Sequence, residues 1–347
     1  MFSVLIRIYK FIQIQYLFWK KELNPKIKVD LFTRLNMIRK GFHGESAIIY
    51  DLTSYSDMYL TDKQRLKSKF INYGYTQTLN NKIIFEKVFS DSLNIPTTLG
   101  IIEKGQITFL NSDLKDIDDL ILYINKKGTL VFKPISGGGG FGVKIIKYYD
   151  SSLTINNETT TIEEFKALVN KLDSYFISEY IEQGEFSKKF NPKTLNSIRI
   201  VTMIDPIDNN AFIPIAVYRI GTKQSSPADN WTQGGISALI DIETGRIGKG
   251  VIYPRNGKKV FLEKHPETGA RIEGQLIPNW DKIKEKILNA SNKHKYIKYI
   301  GWDVVITDEG IKVIEGNNCS DMNLLQVHKP ILGDVRVRSF FSHYDII

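Results

Sequence analysis

Two stretches carry residues whose types and spacing could do chemistry. The first is VFKPISGGGGFGVKIIK, residues 131–147, where five of the six residues from Gly137 to Gly142 are glycine. Lys133 precedes the loop and Lys144 follows it. Glycines let backbone N–H groups turn inward without a Cβ in the way, forming a nest for phosphate oxygens, and the two lysines would add point charges. Gly137, Gly139 and Gly142 satisfy G-x-G-x-x-G, but a dinucleotide fingerprint needs a helix to open after the last glycine. Here VKIIKYY alternates as a strand. A Walker A loop fails as well, because Gly142 is followed by Val143-Lys144 rather than Lys-Ser/Thr. A strand–loop–strand flap over phosphates remains, with a bare hairpin tip as the alternative.

The second stretch is GWDVVITDEGIKVIEGNN, residues 301–318. Two alternating apolar runs flank Asp308-Glu309-Gly310, which reads as a three-residue hairpin loop closing on glycine. That register sets residue 307 against 311 and Asp303 opposite Glu315, with Asn317 on the same face as Glu315. Facing carboxylates repel. A divalent cation would remove that cost, and Mg2+ favours a few carboxylate or amide oxygens together with substrate phosphates. The alternative is a pair of solvated acids, with one turn residue fewer shifting the register.

Composition sets the bounds. The chain has 347 residues, 42% hydrophobic and 24% charged, which suits two or three packed lobes of a soluble protein. A net charge of +9 fits an anionic partner, but the basic residues are scattered without a block of five or six, which argues against nucleic acid. The single cysteine, Cys319, excludes an intramolecular disulfide and fits a reducing, cytoplasmic compartment. No Ser/His/Asp or Cys/His arrangement stands out, and the five histidines lack metal-ligand spacing. Arg7, Lys10, Gln13 and Gln15 interrupt the apolar run of residues 1–19 well before the roughly 20 residues that a membrane span needs. That run reads as an aromatic-rich helix packed on the body. A peripheral membrane contact through residues 1–20, placing the chain at the inner face of a membrane, and a dimer surface are the alternatives.

These motifs need elements to hold them. Residues 1–75 read as mostly helical. Helices are expected over 62–74, 80–96, 112–128, 161–172 and near 280–291. Strands are expected at 97–110 about a Lys-Gly turn, at TLVFK, VKIIKYYD and YFISEYI, and in longer runs from residue 196. Mixed helices and strands without regular βαβ alternation predict α+β lobes with antiparallel sheets.

Taken together, a Lys-Pro strand, a Gly-rich flap and a distant Asp…Glu-x-Asn hairpin resemble the ATP-grasp superfamily, from about residue 80 to 330. LNSIRIVT (195–202), YRIGTKQSSPADNWTQGGISALIDIETG (218–245), IGWDVVIT and VIEGNN are similar to its sugar-transfer associated branch, related to α-L-glutamate ligases. The resemblance implies an ATP-grasp fold, two α+β lobes gripping ATP, preceded by a helical region: 1–75, then 76–185 with the flap, then 186–347 with the metal site.

Roles follow from the same resemblance. Lys82 matches a helix-start lysine that reaches a nucleotide phosphate, with Asn81 where the family has Asp. Lys133 matches the phosphate lysine, and Ser136, Gly137, Gly138, Gly139, Gly140 and Gly142 match the closing flap. Glu179 and the backbone at Ile181 would meet the adenine edge. Glu185 would bind the ribose, with Glu182 as its competitor. Asp303, Glu315 and Asn317 match ligands of Mg2+ or Mn2+. Arg199 and Arg219 occupy strand positions that point into such sites, with a surface ion pair as the alternative for each. Asn230 matches a residue that meets metal or phosphate.

The implied chemistry is carboxylate–amine ligation through an acyl phosphate, with ATP and Mg2+. The branch suggests an amine joined to an anionic, carboxylate-bearing sugar for a surface polysaccharide. A peptide or protein acceptor, a phosphotransferase and a non-enzymatic binding module are the rival readings.

Overall fold

The structure, a computed structural model, describes residues 2–52, 57–136, 141–149 and 152–347. The chain starts with six helices: α1 (Phe2–Glu22), α2 (Leu31–Arg39), α3 (Ser46–Ile49), α4 (Asp62–Ser68), α5 (Thr76–Asn80) and α6 (Lys82–Phe89). A first sheet follows, with β1 (Thr98–Glu103), β2 (Gln106–Phe109), α7 (Ile117–Lys127), β3 (Thr129–Pro134) and β4 (Lys144–Tyr149). It continues through β5 (Ser152–Ile155), β6 (Glu158–Thr160), α8 (Ile162–Val169) and β7 (Tyr175–Glu179). After α9 (Glu185–Lys188) comes a second sheet: β8 (Ser197–Ile204), β9 (Ala211–Ile220), β10 (Ile236–Ile240), β11 (Ile247–Ile252) and β12 (Val260–Leu262). Helix α10 (Trp280–Lys293) leads to β13 (Tyr299–Thr307) and β14 (Gly310–Asn317), and α11 (Asn323–Gln326) and α12 (Val335–His343) close the chain.

Both sheets are antiparallel, in the orders β2-β1-β7-β3-β4-β5-β6 and β12-β11-β10-β9-β8-β13-β14. The α+β architecture expected from the sequence is the one observed. Helices α7 and α8 cover one face of the first sheet through Leu120, Ile124, Phe165 and Val169, apolar pairs four residues apart that sit on one side of a helix. The second sheet is covered on both faces, so all eight residues of its inner strand β8 are buried. Ile198, Ile200, Trp302 and Val304 pack against α6 and α10 on one face. Val201, Met203 and Tyr299 meet Met37, Phe42, Ile49, Phe340 and Phe341 on the other.

Some boundaries differ from those read in the sequence. The expected division at residue 76 falls inside one packed unit: Leu79, Phe85 and Phe89 of α5 and α6 join the core of the second sheet rather than that of the first. Helix α7 starts at Ile117 rather than Ser112, because the Asp116 carboxylate accepts from the N–H groups of Asp118 and Asp119 and caps the helix there. Strands β5, β6 and β12, three or four residues long, carry no alternation to read and exist through pairing with their neighbours. Phe85, fully buried under β14, is the test of where α6 belongs. Phe85→Ala should destabilise the protein by about 3–5 kcal/mol, read as a lower urea midpoint of the second-sheet unit; an unchanged midpoint would detach α6 from that core.

Candidate functional site

Strands β8 and β9 each carry one arginine as their only charged residue, and both point to the same face. In the register Arg199 stands opposite Val217, and Ser197 opposite Arg219. Buried guanidinium groups need anionic partners. Arg199 clamps Asp303 of β13 with two bonds, Nε to Oδ1 at 2.5 Å and Nη2 to Oδ2 at 3.0 Å. Arg219 reaches Asp303 Oδ2 at 3.0 Å through Nη1, and Asp229 Oδ1 at 2.5 Å through Nη2. The Ser197 hydroxyl donates to the other oxygen of Asp229. Burial alone would raise the pKa of Asp303, but Arg199 and then Arg219 outweigh it and hold the carboxyl below its ordinary range. For Asp229 burial prevails over Arg219 and Ser197, and its pKa rises.

Strand β14 brings the second acid. Asp303 does face Glu315, and Gly301 faces Asn317. The route to that register differs from the expected one. Thr307 pairs with Gly310, so the turn holds two residues rather than three, and a bulge between Asp303 and Val304 restores the offset. Two residues then oppose one, and both Ile314 and Glu315 reach the cleft. The repulsion expected between the two acids is relieved within the protein itself. Asp303 is neutralised by the two arginines, and Glu315 lies 3.6 Å from Lys82 Nζ. No cation is required to hold the two acids together. Among the described residues no group of three or more acidic, histidine or cysteine side chains is arranged to hold a metal by itself.

The first sheet supplies the opposite wall. Val131 and Ile145 pair across β3 and β4 and, with Lys133, Tyr180 and Ile181, close a cleft of about 270 Å³ against Arg199, Arg219, Asp303, Glu315 and Asn317. Lys82, the first residue of α6, enters from the side, and Asn81 caps that helix by accepting from the N–H groups of Ile83 and Ile84, as an aspartate would. The ammonium of half-buried Lys133 has no hydrogen bond or ion pair among the described residues. Burial, opposed by Glu315, lowers its ammonium to about 8.

Several expected residues lie elsewhere. Lys144 is absent from the lining, because side chains alternate along β4 and its neighbours Val143 and Ile145 face the cleft. Glu185 and its competitor Glu182 both pair with Lys188, at 3.0 and 2.9 Å, and are each 77% exposed outside the cleft. Helix α9 opens at Glu185, which sets it three residues from Lys188 on one helical side. The Glu179 carboxylate accepts from Thr97 N–H and lies 3.7 Å from Lys312, where the sheets meet, instead of in the lining. Asn230 turns into its own backbone, accepting from Thr232, and Asp229 takes the place in the site. Ser136 is exposed beyond the lining, and Gly142, at φ +73°, accepts from the Tyr175 hydroxyl at 3.1 Å. Gly137, Gly138, Gly139 and Gly140 lie outside the described residues.

Asp229, Ser197, Tyr180 and exposed Lys193 line the cleft without having been read from the sequence. For Asp229 a signal existed: an arginine within the apolar run AVYRIG demands a nearby acid. The loop that carries Lys193 is fixed from below. Buried Gln183 donates to the carbonyls of Asn191 and Thr194 and accepts from Asn196, which in turn accepts from Gly221 N–H.

The lining fits a polyanion assisted by one divalent cation. Its charged side chains are Lys82, Lys133, Lys193, Arg199 and Arg219 against Asp229, Asp303 and Glu315. Arg219 Nε is buried without a hydrogen-bond partner. Glu315 and Asn317, with the one lone pair left on Asp303 Oδ1, would hold the cation only in part, leaving ligand oxygens to complete its shell.

A model of the family described as sugar-transfer associated ATP-grasp matches residues 61–335. No curated protein matches the chain. Among solved structures, the ATP-grasp ligase PsnB with precursor peptide PsnA2 and AMPPNP is similar at 11% identity, covering 79% of this chain and 61% of that one, with a TM-score of 0.41. D-alanine--D-alanine ligase from Bacillus anthracis is similar at 16% identity over 76% of this chain and 68% of that one, with a TM-score of 0.38. An L-amino acid ligase from Bacillus licheniformis gives 12%, 80%, 45% and 0.38. The chain spans 53% and 61% of the first two solved ligases it matches, both PsnB complexes.

The geometry separates the two facing acids. Asp303→Ala strands two buried guanidinium groups and should cost about 3–5 kcal/mol in urea unfolding, whereas Glu315→Ala should stay within about 1 kcal/mol. Equal losses would refute the clamp. Lys133 is fully charged only below about 8, and a bound polyanion favours its charged form. Tripolyphosphate affinity should therefore fall as pH rises through 8, with proton uptake on binding in calorimetry. Lys133→Arg should flatten that profile, and an unchanged profile would remove Lys133 from the anion site.

Proposed function

Because the chain belongs to the sugar-transfer associated ATP-grasp family, we propose that it is an ATP-dependent carboxylate–amine ligase that works through an acyl phosphate. The carboxylate substrate is an anionic sugar such as a uronic acid, the amine an amino acid or a related compound, and the product a building block of a surface polysaccharide. The observation that carries this reading is the cleft itself, where cations from both sheets and α6 converge on Asp303, Glu315 and Asn317 with the Lys133 ammonium lacking any partner among the described residues.

In this reading the apolar wall of Val131, Ile145, Tyr180 and Ile181 takes the base, and Lys82 and Lys133 meet the phosphates. A carboxylate oxygen of the substrate attacks the γ-phosphorus, and the bond from that phosphorus to the bridging oxygen breaks, releasing ADP. Charge on the transferring phosphoryl group is met by ammonium and guanidinium groups already in place, which need no reorganisation. Mg2+, when bound through Glu315 and Asn317, would neutralise phosphate oxygens and hold the nucleotide in line. The amine nitrogen then attacks the acyl carbon, phosphate leaves with its bridging oxygen, and the amine proton passes to solvent. Lys193, exposed at the rim of the cleft, would hold an anionic acceptor.

ADP and phosphate release from ATP and Mg2+ should require both pooled uronic acids and pooled amino acids, and should be lost in Lys133→Ala and Glu315→Ala. Release with either pool alone, or phosphate transferred to the acceptor without an amine, would overturn ligation. Since the cation shell is incomplete, Mn2+ should bind tightly only in the presence of nucleotide. Tight binding to the nucleotide-free protein, read by electron paramagnetic resonance, would contradict the shared shell.

A further inference from the structure

Helix α1 is amphipathic in the inverted sense. Its side toward the body carries fully buried Phe18 and half-buried Ile14. Its outward side carries Leu5, Ile8, Tyr9, Ile12, Tyr16 and Trp19, followed by Leu23, at spacings of three and four residues that form one stripe. These side chains are 42–69% exposed. The stripe is about 27 Å long at the rise of a helix. Scattered exposed apolar residues are ordinary, but a continuous row of seven is not. Helix α2, fastened to the end of α1 by Arg34, whose guanidinium lies 2.6 Å from the Glu22 carboxylate, adds exposed Leu31, Phe32 and Leu35.

Charge indicates what covers this face. Residues 1–75 hold thirteen Lys and Arg against six Asp and Glu, so seven of the nine net positive charges of the chain lie there. Three of the six acids, Glu22, Glu45 and Asp62, are buried against Arg34, Lys21 and His43. Before Glu22, α1 contains four basic residues and no acid; Lys10 lies over the Phe70 and Tyr73 rings and Lys21 pairs with Glu45, while Arg7 and Lys20 are exposed and are the two that can reach headgroups. Among the described residues no helix is long and apolar enough to cross a membrane. Tyr, Trp and Leu on one side of a helix flanked by lysines suit the boundary between headgroups and acyl chains. A second copy is the poorer occupant, because two such faces would bring two basic surfaces together.

We propose that the outward face of α1, extended by α2, docks on an anionic lipid surface, with the apolar stripe at the acyl boundary and the basic residues at the headgroups. This rests on the helix and its charge and is independent of the ligase reading.

The test uses the full chain and vesicles of phosphatidylcholine with and without phosphatidylglycerol. Of the four tryptophans only Trp19 is exposed, since Trp231, Trp280 and Trp302 are buried, so brominated acyl chains report on Trp19 alone. Flotation with phosphatidylglycerol vesicles, weakened by salt and accompanied by quenching, is the expected result. Ile12→Glu and, separately, Phe32→Glu should each reduce binding by roughly tenfold or more, with far-ultraviolet circular dichroism unchanged. Equal flotation with phosphatidylcholine alone would overturn the anionic requirement. No flotation would overturn the proposal, and a concentration-dependent dimer lost in Ile12→Glu would then assign the face to a second copy.

Discussion

The Asp303 carboxylate is where the second sheet and the cleft meet. It accepts two bonds from Arg199 and one from Arg219, so one buried acid ties the side chains of three neighbouring strands, β13, β8 and β9, at the wall of the cleft. Each of these charges would be expensive to bury alone. Together they satisfy one another, and the second oxygen-rich partner, Asp229, takes the remaining reach of Arg219. Ser197, Arg199, Arg219, Asp229 and Asp303 are then held in fixed directions, which is the condition for a site that stabilises charge without moving.

That arrangement leaves the excess charge on the lysines. The arginines are committed to Asp303 and Asp229, while the Lys133 ammonium stands in the opposing wall without a hydrogen bond or ion pair among the described residues and is lowered by burial, against Glu315, to about 8. A polyanion entering between the sheets would meet this ammonium at little cost in broken pairs. The acids that a metal would use are likewise partly engaged, so they would hold a cation only in part and leave ligand oxygens to complete its shell.

The two walls are held by connections of different kinds. The segment after β7 is bound to the β13–β14 turn, Gly184 N–H donating to Ile306 O and Glu185 N–H to Asp308 Oδ1, both at 2.8 Å. The loop carrying Pro192–Leu195 rests on the Gln183–Asn196 network. At the far side the N-terminal helices share the core of the second sheet through Met37, Phe42 and Ile49, so α1 is presented from a fixed body.

Much of this was legible in the sequence because it depends on local pattern. Alternation located β3, β4, β13 and β14, and the Lys-Pro strand, the arginine strands and the Asp…Glu-x-Asn hairpin pointed to Lys133, Arg199, Arg219, Asp303, Glu315 and Asn317, all of which line one cleft. Other features were not legible, because they depend on which face a strand turns inward, which of several partners a side chain takes, and where a bulge falls. Alternation gives a period of two but not the sign of the face, so Lys144 was expected inside and lies outside. Glu185 and Asn230 have the right chemistry, yet a lysine one helical turn away and a backbone turn take their side chains. The turn of β13–β14 is one residue shorter than the sequence suggested, and only the bulge restores Asp303 to Glu315. The sequence by itself determined the strands with clear alternation, β3, β4, β13 and β14 among them, and which charged residues they carry. The tertiary structure decided which of those charges neutralise one another and which remain for a ligand, because pairing energy depends on separation and burial, and neither is written along a single chain.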